Sequence, residues 1–234
     1  MKHVLCIVLL FHFTILFAQN PSSKKAILNE STVVKTIEGI IYPYAIWQQL
    51  LQTGDFSLRA EEPGNDKTAY IIYELTSKEK EQRLAALPKP NESKNFTTGK
   101  LFGKFKTTDM YGNKINTSEL KGKTVVLNFW FINCPPCRAE IPHLNKLVEK
   151  YKDDKNIVFL AVALDDASEI ETFLKSIPFS YQIIDKGRWI ATNFSINSYP
   201  TNVVIDKEGI VRFHSTGYSL QLPYWIEKTI EEIK

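Results

Sequence analysis

The sequence predicts an α/β fold for residues 99–234, on three observations. Two continuous apolar runs, TVVLNFWFI (124–132) and NIVFLAVAL (156–164), have the pattern of strands buried on both faces of a parallel sheet. An amphipathic stretch at about Pro136–Lys152 separates them and reads as a helix. Two further strands in TNVVID-KEG-IVRFHS, joined by a Gly-containing turn, lead into a closing helix, LPYWIEKTIEEIK. Strand–helix–strand followed by a hairpin and a helix is an α/β order.

The remaining elements fit around this frame. A hairpin is predicted at Lys104–Asp109 and Lys114–Asn116, turning through MYGN. DASEIETFLKSI reads as an amphipathic helix capped by Asp166 or Ser168, and YQIID as a short strand. Upstream, residues 19–98 differ in texture and read as a small α+β region of unassigned role. A helix at Tyr44–Thr53 stops at Gly54 and is followed by a short strand. A strand at Ala69–Leu75 precedes a helix at Ser77–Leu87 with Ser77 as its cap. PKPNESKNFTTG, rich in proline and polar residues, reads as a linker.

Composition bounds the function. A net charge of +3, with no dense Lys/Arg block, gives no reason to expect a nucleic-acid partner. Lys2, an apolar run of 14 residues from Val4 to Phe17, and Ala18-Gln19-Asn20 form the pattern of an export signal, residues 1–18. The run is short for a span, which needs about 20 residues, although an uncleaved anchor is the alternative. Cleavage removes Lys2, leaving 28 basic against 26 acidic residues and a net charge of +2. It also removes Cys6, so the mature chain carries two cysteines in an exported, disulfide-permissive setting.

Those two, Cys134 and Cys137, lie in NFWFINCPPCRAEIPHL. A structural bridge, half of a zinc site and a redox couple are the candidate roles. A bridge across three residues closes a tiny loop and constrains the unfolded chain little, and a chain this long has a core without it. Zinc requires four ligands, and His143 and His214, the remaining candidates, lack the spacing. No metal and no other cofactor is expected. The redox reading fits best. Cys134 falls at a helix start, where unpaired N–H groups and the helix dipole stabilise a thiolate and lower the pKa below about 8.5. Cys137, three residues on, faces the same way and serves as the resolving thiol.

GKTVVLNFWFINCPPCRAEIPHLNKLVEKY followed by YPTNVVIDKEGIV resembles the thioredoxin-like periplasmic thiol–disulfide reductases of the TlpA/ResA kind. FKTTDMYGNKINTSELKGK is similar to that family's leading hairpin, so the resemblance covers about 101–234. It implies a thioredoxin fold with an N-terminal β-hairpin and a strand–helix insert, and Pro200 in cis beside the disulfide. It also implies an acid at Glu140 that tunes or relays the Cys137 proton; an ordinary first-turn glutamate is the plain alternative. Asn128 stands where cytosolic thioredoxins have a buried aspartate and cannot itself be a base. Asn133 replaces the tryptophan common before the first cysteine. Tyr199 and Pro200, with Pro135 and Pro136 between the thiols, are the candidate substrate-binding residues. Phe129 and Trp130 read as core, and neither histidine as catalytic.

The resemblance implies reduction of protein disulfides, apocytochrome c among them, with a membrane electron donor restoring the dithiol. Two rivals stand beside it. A peroxiredoxin-like peroxide reductase wants Thr three residues before its cysteine, where this chain has Phe131, and a Pro where it has Leu127. Alternatively, residues 19–98 bind a partner and deliver a redox module acting as disulfide oxidase or isomerase.

Overall fold

The computed structural model describes residues 28–65 and 68–234, so the expected signal (1–18) lies outside the described residues. The chain divides into two compact units at Leu75/Thr76.

In the first unit, β1 (Val34–Lys35), β2 (Ile41–Tyr42), α1 (Tyr44–Gln52), β3 (Phe56–Ala60) and β4 (Tyr70–Glu74) follow in order. The strands form one sheet in the order β2-β1-β4-β3. Its small core gathers around Val34, Trp47 and Ile72. β1 and β2, two residues each, were too short to leave a periodic signal.

The second unit begins with α2 (Ser77–Ala86), capped by Thr76 rather than Ser77. Thr76 Oγ1 accepts from the Glu79 N–H, and the Glu79 carboxylate accepts from the Thr76 N–H at 2.8 Å, a capping box. A two-stranded hairpin follows, β5 (Lys106–Thr108) and β6 (Lys114–Asn116). Its turn uses Gly112 at φ +85°, a conformation glycine adopts freely.

The main sheet contains β7 (Thr124–Trp130), β8 (Ile157–Ala163), β9 (Gln182–Ile184), β10 (Thr201–Ile205) and β11 (Val211–Thr216). Its order is β11-β10-β7-β8-β9, with β7 parallel to β8 and β8 to β9, and β10 antiparallel to β7 and β11. The helices are α3 (Pro135–Lys150), α4 (Ala167–Leu174), α5 (Arg188–Asn193) and α6 (Leu222–Ile233). α5 escaped the sequence reading because six residues give too little periodicity. It starts at Gly187, where a Cβ would collide with Val162 and the Ala163 carbonyl.

Two cores flank the sheet. Alternation along β7 sorts its residues: Val126 and Trp130 join the core with α3 and α6, and Val125, Leu127 and Phe129 join the core with α5 and the hairpin. On β10, Val204 faces the first core and Val203 and Ile205 the second. The same period puts Asn128 and Asn202 on the α3 side.

Candidate active site

The site lies where β7 gives way to α3, at the carboxyl end of the central parallel strand. The connecting loop is held by the Ile132 N–H, which donates to Asp165 Oδ2 at 2.8 Å. The Leu164 N–H donates back to the Trp130 carbonyl. Cys134 is the N-cap of α3, and its Sγ accepts from the Cys137 N–H at 3.2 Å. Pro135 and Pro136 occupy the first helical positions, where a missing N–H breaks no helical bond. A disulfide joins Cys134 to Cys137, with Cα atoms 5.2 Å apart. Cys134 is 3% exposed and Cys137 1%. Pro135 is exposed and Pro136 half-buried beside them.

α3 buries one stripe: Cys137, Glu140, Ile141, Leu144 and Leu147. Glu140 is the single acid in an otherwise apolar row, one turn beyond Cys137 on the same face, and 2% exposed. The carboxyl meets two amides from the sheet. Asn128 and Asn202 are directly paired across β7 and β10. Asn128 Nδ2 donates to Glu140 Oε1 at 2.7 Å and to Asn202 Oδ1 at 2.9 Å. Asn202 Nδ2 donates to Glu140 Oε1 and Oε2 at 3.3 and 3.4 Å. Burial pushes the Glu140 carboxyl up to about 8, against the opposing pull of the Asn202 and Asn128 hydrogen bonds. A carboxyl that titrates near 8 is matched to a thiol for proton exchange.

Tyr199–Pro200 is a cis peptide. Thr201, the next residue, pairs with Phe129, so this peptide sits at the same sheet end as the cysteine loop. The Tyr199 ring meets Phe131 edge-on at a centroid distance of 5.4 Å, and its hydroxyl donates to the Ile196 carbonyl at 3.3 Å. Tyr199 also packs against the core cluster holding both cysteines. The Gly217 N–H donates to the Pro200 carbonyl, drawing the β11–α6 loop to the same place.

The fold therefore brings Cys134, Cys137, Glu140, Pro135, Pro136, Tyr199 and Pro200 to one end of the sheet. Phe129 and Trp130 are core residues. Asn133 is exposed, and His214 is buried on β11, where burial lowers its pKa. The sequence reading missed Asn202. Its one available signal was a polar residue opposite Asn128 in an otherwise apolar strand, which requires knowing the register. Among the described residues no group of three or more His, Cys, Asp or Glu is arranged to hold a metal ion.

Residues 98–214, half of the chain, match the AhpC/TSA family. The chain belongs to the AhpC/TSA family. A similar protein is the thiol-disulfide oxidoreductase ResA of Bacillus cereus, 39% identical over 115 residues, 48% of this chain and 66% of ResA. The chain thus spans just under two thirds of that relative. ResA of Halalkalibacterium halodurans is 35% identical over 132 residues, 56% of this chain and 73% of that ResA. The thioredoxin domain of a thiol-disulfide oxidoreductase from Bacteroides vulgatus superposes with a TM-score of 0.52 at 23% identity, covering 59% of this chain and 99% of that domain. The chain accordingly contains a thioredoxin fold, as the family resemblance implied.

The near-closure of the disulfide makes Tyr199 a test of access. In Tyr199→Ala, alkylation of the reduced protein should accelerate several-fold and substrate choice should broaden. The melting temperature should change little, since Tyr199 is only partly buried. Stopped-flow alkylation with iodoacetamide, alongside thermal melts, measures both; an unchanged rate would remove Tyr199 from the approach to the cysteines.

Proposed function

We propose that this protein is a thiol–disulfide oxidoreductase working through a Cys134/Cys137 dithiol couple. The observation that carries this reading is the cysteine pair at the N-cap of α3, with a buried carboxyl one turn further on. The Cys134 thiolate attacks a substrate disulfide, forming a mixed disulfide and releasing one substrate thiolate. Cys137 gives its proton to the Glu140 carboxylate and attacks Cys134 Sγ. The Cys134–Cys137 bond forms, the second substrate thiolate leaves, and the substrate has gained two electrons. Tyr199, Pro200, Pro135 and Pro136 form the rim against which the substrate lies.

The substrates are protein disulfides outside the cytoplasm, apocytochrome c among them, and a membrane electron donor restores the dithiol. The relatives named thiol-disulfide oxidoreductase ResA support the reaction class. The signal-like residues 1–18 support export. Among the described residues no helix is long and apolar enough to cross a membrane. A partner-binding role for the N-terminal region, residues 19–98, is favoured by the separate compact unit that ends at Leu75.

The equilibrium potential of the couple tests the direction. Equilibration in glutathione or dithiothreitol buffers should give a value near the reducing end of the range, about −270 mV, rather than near about −120 mV. A value at the oxidising end would make the protein an oxidase or isomerase. Consumption of peroxide by the reduced protein at a rate above that of its Cys134→Ser variant would favour peroxide reduction instead.

A further inference from the structure

The amide pair that grips Glu140 is more than polar filling. Asn128, Asn202 and Glu140 are 1%, 0% and 2% exposed, so none of their groups is offset by solvent. The hydrogen bonds form a closed triangle. Both protons of the Asn128 amide are used, one on Glu140 Oε1 and one on Asn202 Oδ1. The Asn202 amide nitrogen lies within hydrogen-bonding distance of both carboxyl oxygens. Every contact these amides make to Glu140 is a donated one. An ionised carboxylate accepts them all, whereas a protonated carboxyl also needs an acceptor for its own O–H. Asn202 Oδ1 already accepts from Asn128, and in none of these bonds is Glu140 the donor.

We infer that Asn202 is a positioning residue of the redox reaction: with Asn128 it holds the Glu140 carboxyl toward the α3 face that carries Cys137 and favours its ionised form. This inference rests on the dithiol reading proposed above. Burial acts in the opposite sense, so the carboxyl is balanced between two charge states by the fold itself. Besides the Cys137 thiol of the reduced protein, two tyrosines feel its charge. Tyr181 on the β9 side is buried, its hydroxyl has no hydrogen-bond partner, and burial together with the Glu140 charge raises its pKa. Tyr218, in the loop after β11, is shifted upward by the same two causes in the same order. Neither supplies a positive charge, so the two amides are the groups that favour the carboxylate.

Asn202→Leu keeps the branching and the number of side-chain heavy atoms and removes the amide. With one set of donors gone, the Glu140 titration should move upward by about one pH unit or more. The direct probe is the carboxyl ¹³C shift of Glu140 in oxidised protein, followed from pH 5 to 10. The second probe is the pH profile of mixed-disulfide resolution, whose midpoint should move by the same amount. Asn202→Ser, smaller and able to donate, should recover part of the shift. Asn128→Leu should move the midpoint in the same direction, and serves if Asn202→Leu does not fold. A role in packing alone would lower the melting temperature and leave both midpoints in place, which would overturn the inference. Failure of the parent protein to exchange disulfides would overturn the dithiol reading, while the ¹³C titration would still judge the grip on Glu140.

Discussion

Cys137→Ser should accumulate a stable mixed disulfide through Cys134, whereas Cys134→Ser should form none and fall to the uncatalysed background of disulfide exchange. The asymmetry follows from position. Cys134 caps α3, with its sulfur accepting the Cys137 N–H, whereas Cys137 lies inside the first turn and is the more buried of the two. The attacking sulfur requires donors that stabilise its charge; the resolving sulfur requires proximity to the first sulfur. Non-reducing electrophoresis after exposure to a disulfide-bonded protein substrate, with mass spectrometry of the adduct, identifies which cysteine is joined. Equal yields from the two variants would remove the asymmetry, and a larger yield on Cys137 in the Cys134→Ser variant would reverse the assignment.

Glu140→Gln should slow resolution of the mixed disulfide by about 10²-fold and flatten its pH dependence, the lower range of a positioned proton acceptor's contribution. With the carboxyl at about 8, roughly one molecule in ten carries the ionised form at pH 7, so the parent rate should rise through pH 8 and level off above it. Stability gives an independent readout. The folded carboxyl binds its proton more tightly than the unfolded one, for which the ordinary value is 4.5. Between about pH 4.5 and 8 the folded state therefore holds the extra proton, and stability falls as pH rises, by up to about 1.4 kcal/mol per pH unit. Below 4.5 both states are protonated and the dependence disappears. Glu140→Gln removes the proton and should level this part of the stability curve. Denaturant melts of oxidised parent and variant across pH 4–9 measure it; parallel curves would place Glu140 outside the titrating set.

The sequence by itself determined the α/β order, the two buried strands, the helix after the cysteine pair and the closing hairpin and helix. These features are local: apolar runs, a 3.6-residue period and turn residues all act within one segment. The chemistry of Cys134 and Cys137 was legible for the same reason, since three-residue spacing at a helix start fixes their relation without any distant contact. Glu140 was visible only as an acid one turn on. A first-turn glutamate on an exposed face and a buried glutamate beside a thiol have the same sequence; burial distinguishes them, and burial depends on how α3 lies on the sheet. Asn202 was invisible because its meaning depends on the β10–β7 register, which joins residues 74 apart in the chain. β1, β2 and α5 left no period to read. What tertiary structure alone decided was the environment of the carboxyl. Removal from water raises its proton affinity and two amides from neighbouring strands lower it, and both effects exist only once the sheet and helix have met.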